Sequence, residues 1–435
     1  MSTTVERQKL AIDGGTPVRT EPLPAEWSGS HWIDRRELEL VSQVIEARSP
    51  YRYYGLDHQH MVERFEEAFA AQVGRKHALG TASGTAALSV ALAALGIGPG
   101  DEVLMPGYLW VACISAVVRL GAIPRIVDID DTFAMDPQDL KRKIGPHSKA
   151  VMIVHMSGAP GRMQEVAKVS RDAGLPLVED CAQANGASQH GTKVGTLGDL
   201  AIFSIQVNKT MTAGEGGVIV CDDDDLHMRC FAAHDVGYAP GKNAIHEPSD
   251  ERYQTWGIGA RLNELSAAMG LGQLEKLPLI AGAMRKAKWT IRRQIQSLPG
   301  LGFRRIIDPD GDAGSFMITT YETPEMADRF TEALQAEGLR GPKHSLICVS
   351  MKNWGLHWSF NNLSLVHRRS ISADGWPWTH PANAFAADYD YGPGTLPVCD
   401  DMTARGALLA IPSCLTEHDV ADIIAAFTKV AGALC

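Results

Sequence analysis

IFSIQVNKTMTAGEGGVIV, residues 202–220, is the stretch on which the fold turns. It spans parts of two short apolar runs, LAIFSI (200–205) and GVIVCD (217–222), separated by a polar turn. Runs of this length bounded by Gly and polar clusters read as buried strands. Within the turn, Lys209 is flanked by Ser204, Gln206, Asn208 and Thr210 and followed by TAGEGG. Taken alone, a lysine there reads as a solvated surface residue. Its upstream neighbours change that reading.

Working outward, PLVEDCAQANGA (176–187) sets Asp180 at the end of another apolar run. In a parallel sheet the carboxyl ends of strands face the ligand crevice, so a carboxylate there overlooks a site, although an N-capping role for Asp180 is open too. Further upstream, TASGTAAL (81–88) opens a helix that continues to Leu95. Small residues at a helix start leave N–H groups free for a phosphate, and a plain Ser or Thr cap is the alternative. In order, the three segments supply a phosphate cradle, an acidic ring partner and an amine. Pyridoxal 5'-phosphate needs all three: donors for its phosphate, a carboxylate for its pyridine nitrogen and a lysine for a Schiff base.

The surrounding pattern is α/β. Strand-like EVLMP (102–106), IPRIVDI (123–129), KAVMIVH (149–155) and LPLVED (175–180) alternate with helix-like 111–122, 163–174 and 225–237, which predicts a mostly parallel sheet. A helix at 262–277 leads out of it, a second is expected near 283–297, and strand-like FMITTY (316–321) with helices at 322–338 and 416–434 suggests a smaller α+β unit. With 435 residues, more than one core is expected. The expected division is an N-terminal arm at 1–30, a large domain at 31–282 and a small C-terminal domain at 283–435. The last contains an irregular Trp- and His-rich stretch at about 343–395.

A net charge of −10 disfavours nucleic acid and anionic membrane as partners, so small-molecule chemistry is expected. Eight scattered cysteines lack disulfide or zinc spacing and read as reduced, with no metal site expected. The N-terminus lacks a signal-peptide pattern, and no apolar run is long enough to span a bilayer. A cytoplasmic enzyme is the expectation.

In SGTAAL, VEDCAQANGA and SIQVNKTMTAGEGG, taken in that order, the chain resembles the DegT/DnrJ/EryC1/StrS family of sugar and aminocyclitol aminotransferases. The resemblance extends from AIDGGTPVR (11–19) to the final helix, and Gln206 followed by TAGEGG is similar to the aminocyclitol branch. It implies a fold-type I pyridoxal-phosphate transferase, a homodimer, and transfer of nitrogen from glutamine or glutamate to a keto-cyclitol or keto-sugar in natural-product (antibiotic) biosynthesis. It further implies that Lys209 carries the cofactor and shuttles the proton. Asp180 would pair with the ring nitrogen, Gln183 with the ring hydroxyl, and Trp110 would stack on the ring. Ser83, Gly84, Thr85 and Ser204 would form the phosphate site, while Glu215 is expected to be structural.

Two departures stand out. Where the family has G-x-N this chain reads Gly257, Ile258, Gly259, which removes a cross-subunit phosphate contact that Arg261 is expected to replace. The stretch holding His344, Trp354, His357 and Trp358 matches the family poorly and reads either as a cover over the opening or as a surface excursion. Two other activities are weighed against transamination. One is a different reaction on the same cofactor, such as dehydration, decarboxylation or an aldol-type step, although family dehydratases replace the lysine. The other is a non-catalytic regulator, which would need no Schiff-base lysine.

Overall fold

The computed structural model describes residues 9–239 and 250–435. Among them a seven-stranded sheet is built from β1 (His77–Thr81), β2 (Glu102–Pro106), β3 (Ile123–Val127), β4 (Ser148–Val154), β5 (Leu177–Asp180), β8 (Leu200–Ser204) and β9 (Gly217–Cys221). Between β5 and β8 lies a small hairpin of β6 (Ser188–Gln189) and β7 (Thr192–Lys193). The sheet order is β1-β9-β8-β5-β4-β2-β3. The five strands from β8 to β3 run parallel, and β9 pairs antiparallel with both β8 and β1.

Burial on both faces explains the near-continuous apolar runs. Val103, Met105, Met152, Val154 and Ile202 pack into one core, and the alternating Leu104, Val151, Ile153, Ala201 and Phe203 into another. β1 was not foreseen: HALGT is too short and too rich in small residues to announce a strand, and its pairing with β9 is what defines it.

A second sheet, in the order β10-β11-β13-β12, contains β10 (Gly302–Phe303), β11 (Phe316–Thr320), β12 (Cys348–Ser350) and β13 (Gly406–Ala410). The two helices expected at 262–277 and 283–297 are one, Glu264–Ile295, which runs through Pro278. Burial along its length outweighs the missing N–H. Leu271, Leu274 and Leu277 belong to a core of the large sheet, and Ile280, Met284, Ile291 and Ile295 to that of the small sheet.

The irregular stretch is anchored on the large sheet. Leu109 N–H donates to the His357 carbonyl (2.9 Å) and Ser359 N–H to the Gly107 carbonyl (2.9 Å). Between these bonds Trp358, fully buried, stacks on Tyr108 with centroids 4.5 Å apart. Farther along, Tyr389 donates to Glu102 (2.7 Å), Tyr391 to the Pro124 carbonyl (2.9 Å), and Asp128 accepts from Val398 N–H and Cys399 N–H (both 2.9 Å). The segment therefore covers the β2–β3 edge of the sheet. Trp354, Trp358 and Tyr391 of this stretch belong to a core of the large sheet, so it is not a mere surface excursion.

Trp358→Ala should lower the unfolding free energy by about 3–5 kcal/mol, the usual cost of deleting a buried indole. Leu363→Ala, at an exposed position in the same stretch, should stay within about 0.5 kcal/mol. Chemical denaturation at matched protein concentration measures both, and equal midpoints for the two variants would contradict the anchoring.

Candidate active site

All eight residues singled out from the sequence, Ser83, Gly84, Thr85, Trp110, Asp180, Gln183, Ser204 and Lys209, line one cavity of about 570 Å³. It opens at the carboxyl ends of the parallel strands. The elements position each side chain for identifiable reasons.

Ser83 caps the helix Gly84–Ala94 by accepting from Ala86 N–H (3.1 Å). The amides of Gly84 and Thr85 lie in the first turn, where no intrahelical acceptor exists. A Cβ on Gly84 would fall 2.9 Å from the Ser204 Cβ, and one on Gly217 would fall 2.5 Å from the Ser83 carbonyl oxygen. Both glycines are thus required for the helix start to approach β8 and β9. Together the first-turn amides and the Ser204 hydroxyl make a cradle whose donors suit a phosphate.

Asp180, the last residue of β5, is buried. One oxygen accepts from Ala182 N–H (2.9 Å) and the other from the Cys113 thiol (3.0 Å). Burial pushes the Cys113 thiol well above its ordinary value, with the Asp180 charge adding to the effect, so the sulfur keeps its proton and serves as a donor. Cys113 was read only as a reduced thiol, since a thiol-to-carboxylate contact has no sequence signature. No ion pair to Asp180 forms among the described residues.

Gln183 accepts at Oε1 from Ser157 N–H (2.9 Å), leaving its amide N–H₂ as a donor. Ser157 has a positive φ of 58° and its hydroxyl is 2.7 Å from Tyr108 Oη. Trp110 ends the loop after β2 with 41% of its surface exposed on the cavity, an uncommon display for an indole. Burial lowers the Lys209 ammonium below the ordinary lysine value, against the pull of Asp180, Cys113 and Glu215. A larger share of the neutral, nucleophilic amine results.

Several other placements differ from expectation. Glu215, expected to be structural, has an exposed carboxylate that forms part of the cavity wall. Trp354 and His357 reach the cavity, whereas Trp358 lies in the core and His344 is exposed and outside the lining. Gly259 sits at φ 64°, a conformation open to both Gly and Asn. Arg261, expected to face another subunit, is paired with buried Asp235 of its own chain, which also accepts from Tyr53 Oη (2.6 Å). Glu26, Ser28, Phe316, Leu346 and Asn353 also line the cavity and were not foreseen, because the small sheet and the N-terminal segment bring them there. One cluster, His155, Glu179 and Cys181, has ligand-like proximity. Its Glu179 carboxylate is already saturated by His155 and three backbone N–H groups.

The fold, the phosphate-type cradle, the buried strand-end carboxylate and the partly desolvated lysine fit pyridoxal phosphate and define a fold-type I aminotransferase. The chain belongs to the DegT/DnrJ/EryC1/StrS aminotransferase family, whose model matches residues 36–354. Among curated relatives it is 36% identical to an L-glutamine:2-deoxy-scyllo-inosose aminotransferase of Streptoalloteichus tenebrarius, over 97% of each chain. It is also 36% identical, again over 97% of each chain, to a putative L-glutamine:3-amino-2,3-dideoxy-scyllo-inosose aminotransferase of Micromonospora echinospora. Among solved structures, 3-amino-5-hydroxybenzoic acid synthase superposes with a TM-score of 0.75 at 26% identity, covering 96% of this chain and 99% of that one. The protein is a pyridoxal-phosphate-dependent aminotransferase.

Borohydride reduction of the cofactor-loaded protein followed by peptide mapping should place the label on Lys209, and Lys209→Ala should lose the yellow absorbance. A label on another lysine would overturn the assignment. Asp180→Asn should still take up cofactor but slow turnover by about 100-fold or more, because a neutral amide cannot hold the ring nitrogen protonated. Near-normal turnover would remove Asp180 from that role.

Proposed function

We propose that this enzyme moves an amino group from L-glutamine to a keto-cyclitol, as one step in making an aminocyclitol natural product. The observation that carries the reading is the full-length similarity to aminotransferases named for glutamine and scyllo-inosose ketones, joined to a cavity with one lysine and a buried strand-end carboxylate. When bound, pyridoxal phosphate supplies an electrophilic carbonyl and a ring that takes up an electron pair.

The chain's own residues do the rest. Lys209 would hold the group covalently, and its Nζ would also be the base that holds or moves the proton at the reacting carbon. Asp180, held by Cys113 and Ala182, would face the ring nitrogen as its acidic partner. Ser204 and the first-turn amides of Gly84 and Thr85 would anchor the phosphate, while Trp110 and Gln183 would orient the ring face and its hydroxyl. Both half-reactions use the same lysine, so donor and acceptor are processed in alternation.

A homodimer fits the exposed apolar face formed by Tyr54, Leu56, Val236, Trp256 and Ile258, beside the Arg261–Asp235 pair. Among the described residues no helix is long and apolar enough to cross a membrane. The unpaired cysteines suit a reducing, cytoplasmic location.

Incubation with L-glutamine, and separately with L-glutamate, should convert the yellow form to the pyridoxamine form. Adding 2-deoxy-scyllo-inosose should restore the yellow absorbance and yield an aminated cyclitol by mass spectrometry. No conversion with either donor would sink the reading.

A further inference from the structure

We propose that His357 is the residue that recognises the acceptor ketone, its Nε2 accepting a hydrogen bond from a ring hydroxyl of a polyhydroxylated substrate. This assignment rests on the transaminase reading above and adds the residue that distinguishes the acceptor from the donor.

His357 closes the 3-10 turn Gly355–His357 and lines the cavity with Asn353, Trp354 and Leu356. Its Nδ1 is 2.5 Å from the Trp354 carbonyl oxygen. A carbonyl can only accept, so Nδ1 bears the hydrogen and Nε2 carries a lone pair. Burial, opposed by the bond to the Trp354 carbonyl and aided by the nearby Lys209 charge, pushes the imidazole down to about 4, so the ring stays neutral at physiological pH. Nε2 is therefore a fixed acceptor.

The ring cannot easily turn away. It stacks on Trp354 with centroids 4.3 Å apart and planes 13° apart, and leans on Trp110 at 4.8 Å. Its carbonyl is held by Leu109 N–H (2.9 Å). An acceptor fixed by stacking and a main-chain bond loses little entropy when it engages a ligand.

The chemistry of the wall sets the substrate class. A hydroxyl donates to Nε2, whereas a carboxylate or phosphate oxygen only accepts and is repelled by the lone pair. The flanking aromatics suit the C–H faces of a saturated ring. Among the described lining residues Lys209 is the sole cation, against Glu26, Asp180 and Glu215. At this wall a hydroxyl is thus preferred to a carboxylate or phosphate oxygen, which suits the polyol acceptor rather than a phosphorylated sugar.

The test compares the cofactor-loaded wild type with His357→Phe, which keeps the stacked ring without the acceptor, and with His357→Gln, which restores an acceptor. Calorimetric titration with 2-deoxy-scyllo-inosose and with unreactive scyllo-inositol should show about tenfold weaker binding in His357→Phe and partial recovery in His357→Gln. The rate at which L-glutamine converts the cofactor should stay within about twofold in both variants.

Polyol binding unchanged in His357→Phe, or no polyol binding by the wild type, would overturn the proposal. So would an equal loss toward glutamine and polyol, which marks a structural role. Polyol binding that depends on His357 in a protein that glutamine does not convert would uphold the residue's role and refute the donor assignment. Normal conversion with no dependence on His357 does the reverse.

Discussion

A carboxylate buried at the end of a parallel strand constrains everything around it. Asp180 is only 4% exposed, and an ionised group removed from water needs donors or an opposite charge. The chain provides one amide, from Ala182, and one thiol, from Cys113. Both are uncharged, so the carboxylate keeps its capacity to bind a cationic ring nitrogen. Strand pairing prevents escape: Asp180 is opposite Val154 on one side and Ile202 on the other, both in the sheet interior. The desolvation that makes Asp180 demanding also lowers the Lys209 ammonium, so one dry crevice prepares both groups.

Around that pair, close packing of backbone replaces long side chains. Gly84 and Gly217 let a helix start and a strand meet where any Cβ would collide. The helix Glu264–Ile295 is shared by the cores of the large and small sheets, and so ties Ser315 and Phe316 of the cavity wall to the framework that holds the strand ends. The wall facing the substrate is accordingly contributed by parts of the chain far apart in sequence, from Glu26 to His357.

The parallel strands were legible because burial on both faces leaves unbroken apolar runs, and the site residues because they stand at strand ends, at helix starts or in the turns that follow strands. The order of the three segments supplied the chemistry. Features that depend on distant partners were not legible. β1 exists through its pairing with β9, and the long helix survives Pro278 because two cores bury it. Trp358 looked like part of a surface excursion until Tyr108, 250 positions earlier, proved to be its stacking partner. The Arg261–Asp235 pair and the place of Glu215 on the cavity wall were not legible for a related reason: a sequence motif gives the neighbours of a charge along the chain, not the surface it faces or the carboxylate it finds.

The bonds joining residues 107–109 to residues 357–359 are made by main-chain atoms. Such a ladder is indifferent to most of the side chains it carries. A replacement at position 357 therefore leaves the register to the main chain and alters only the side chain presented to the cavity. The framework of the cavity wall and the side chain it displays at this point are thereby set by different atoms. On the proposed reading, a change of acceptor would call for a substitution at position 357 and none at Lys209 or Asp180, which stand on other segments of the chain.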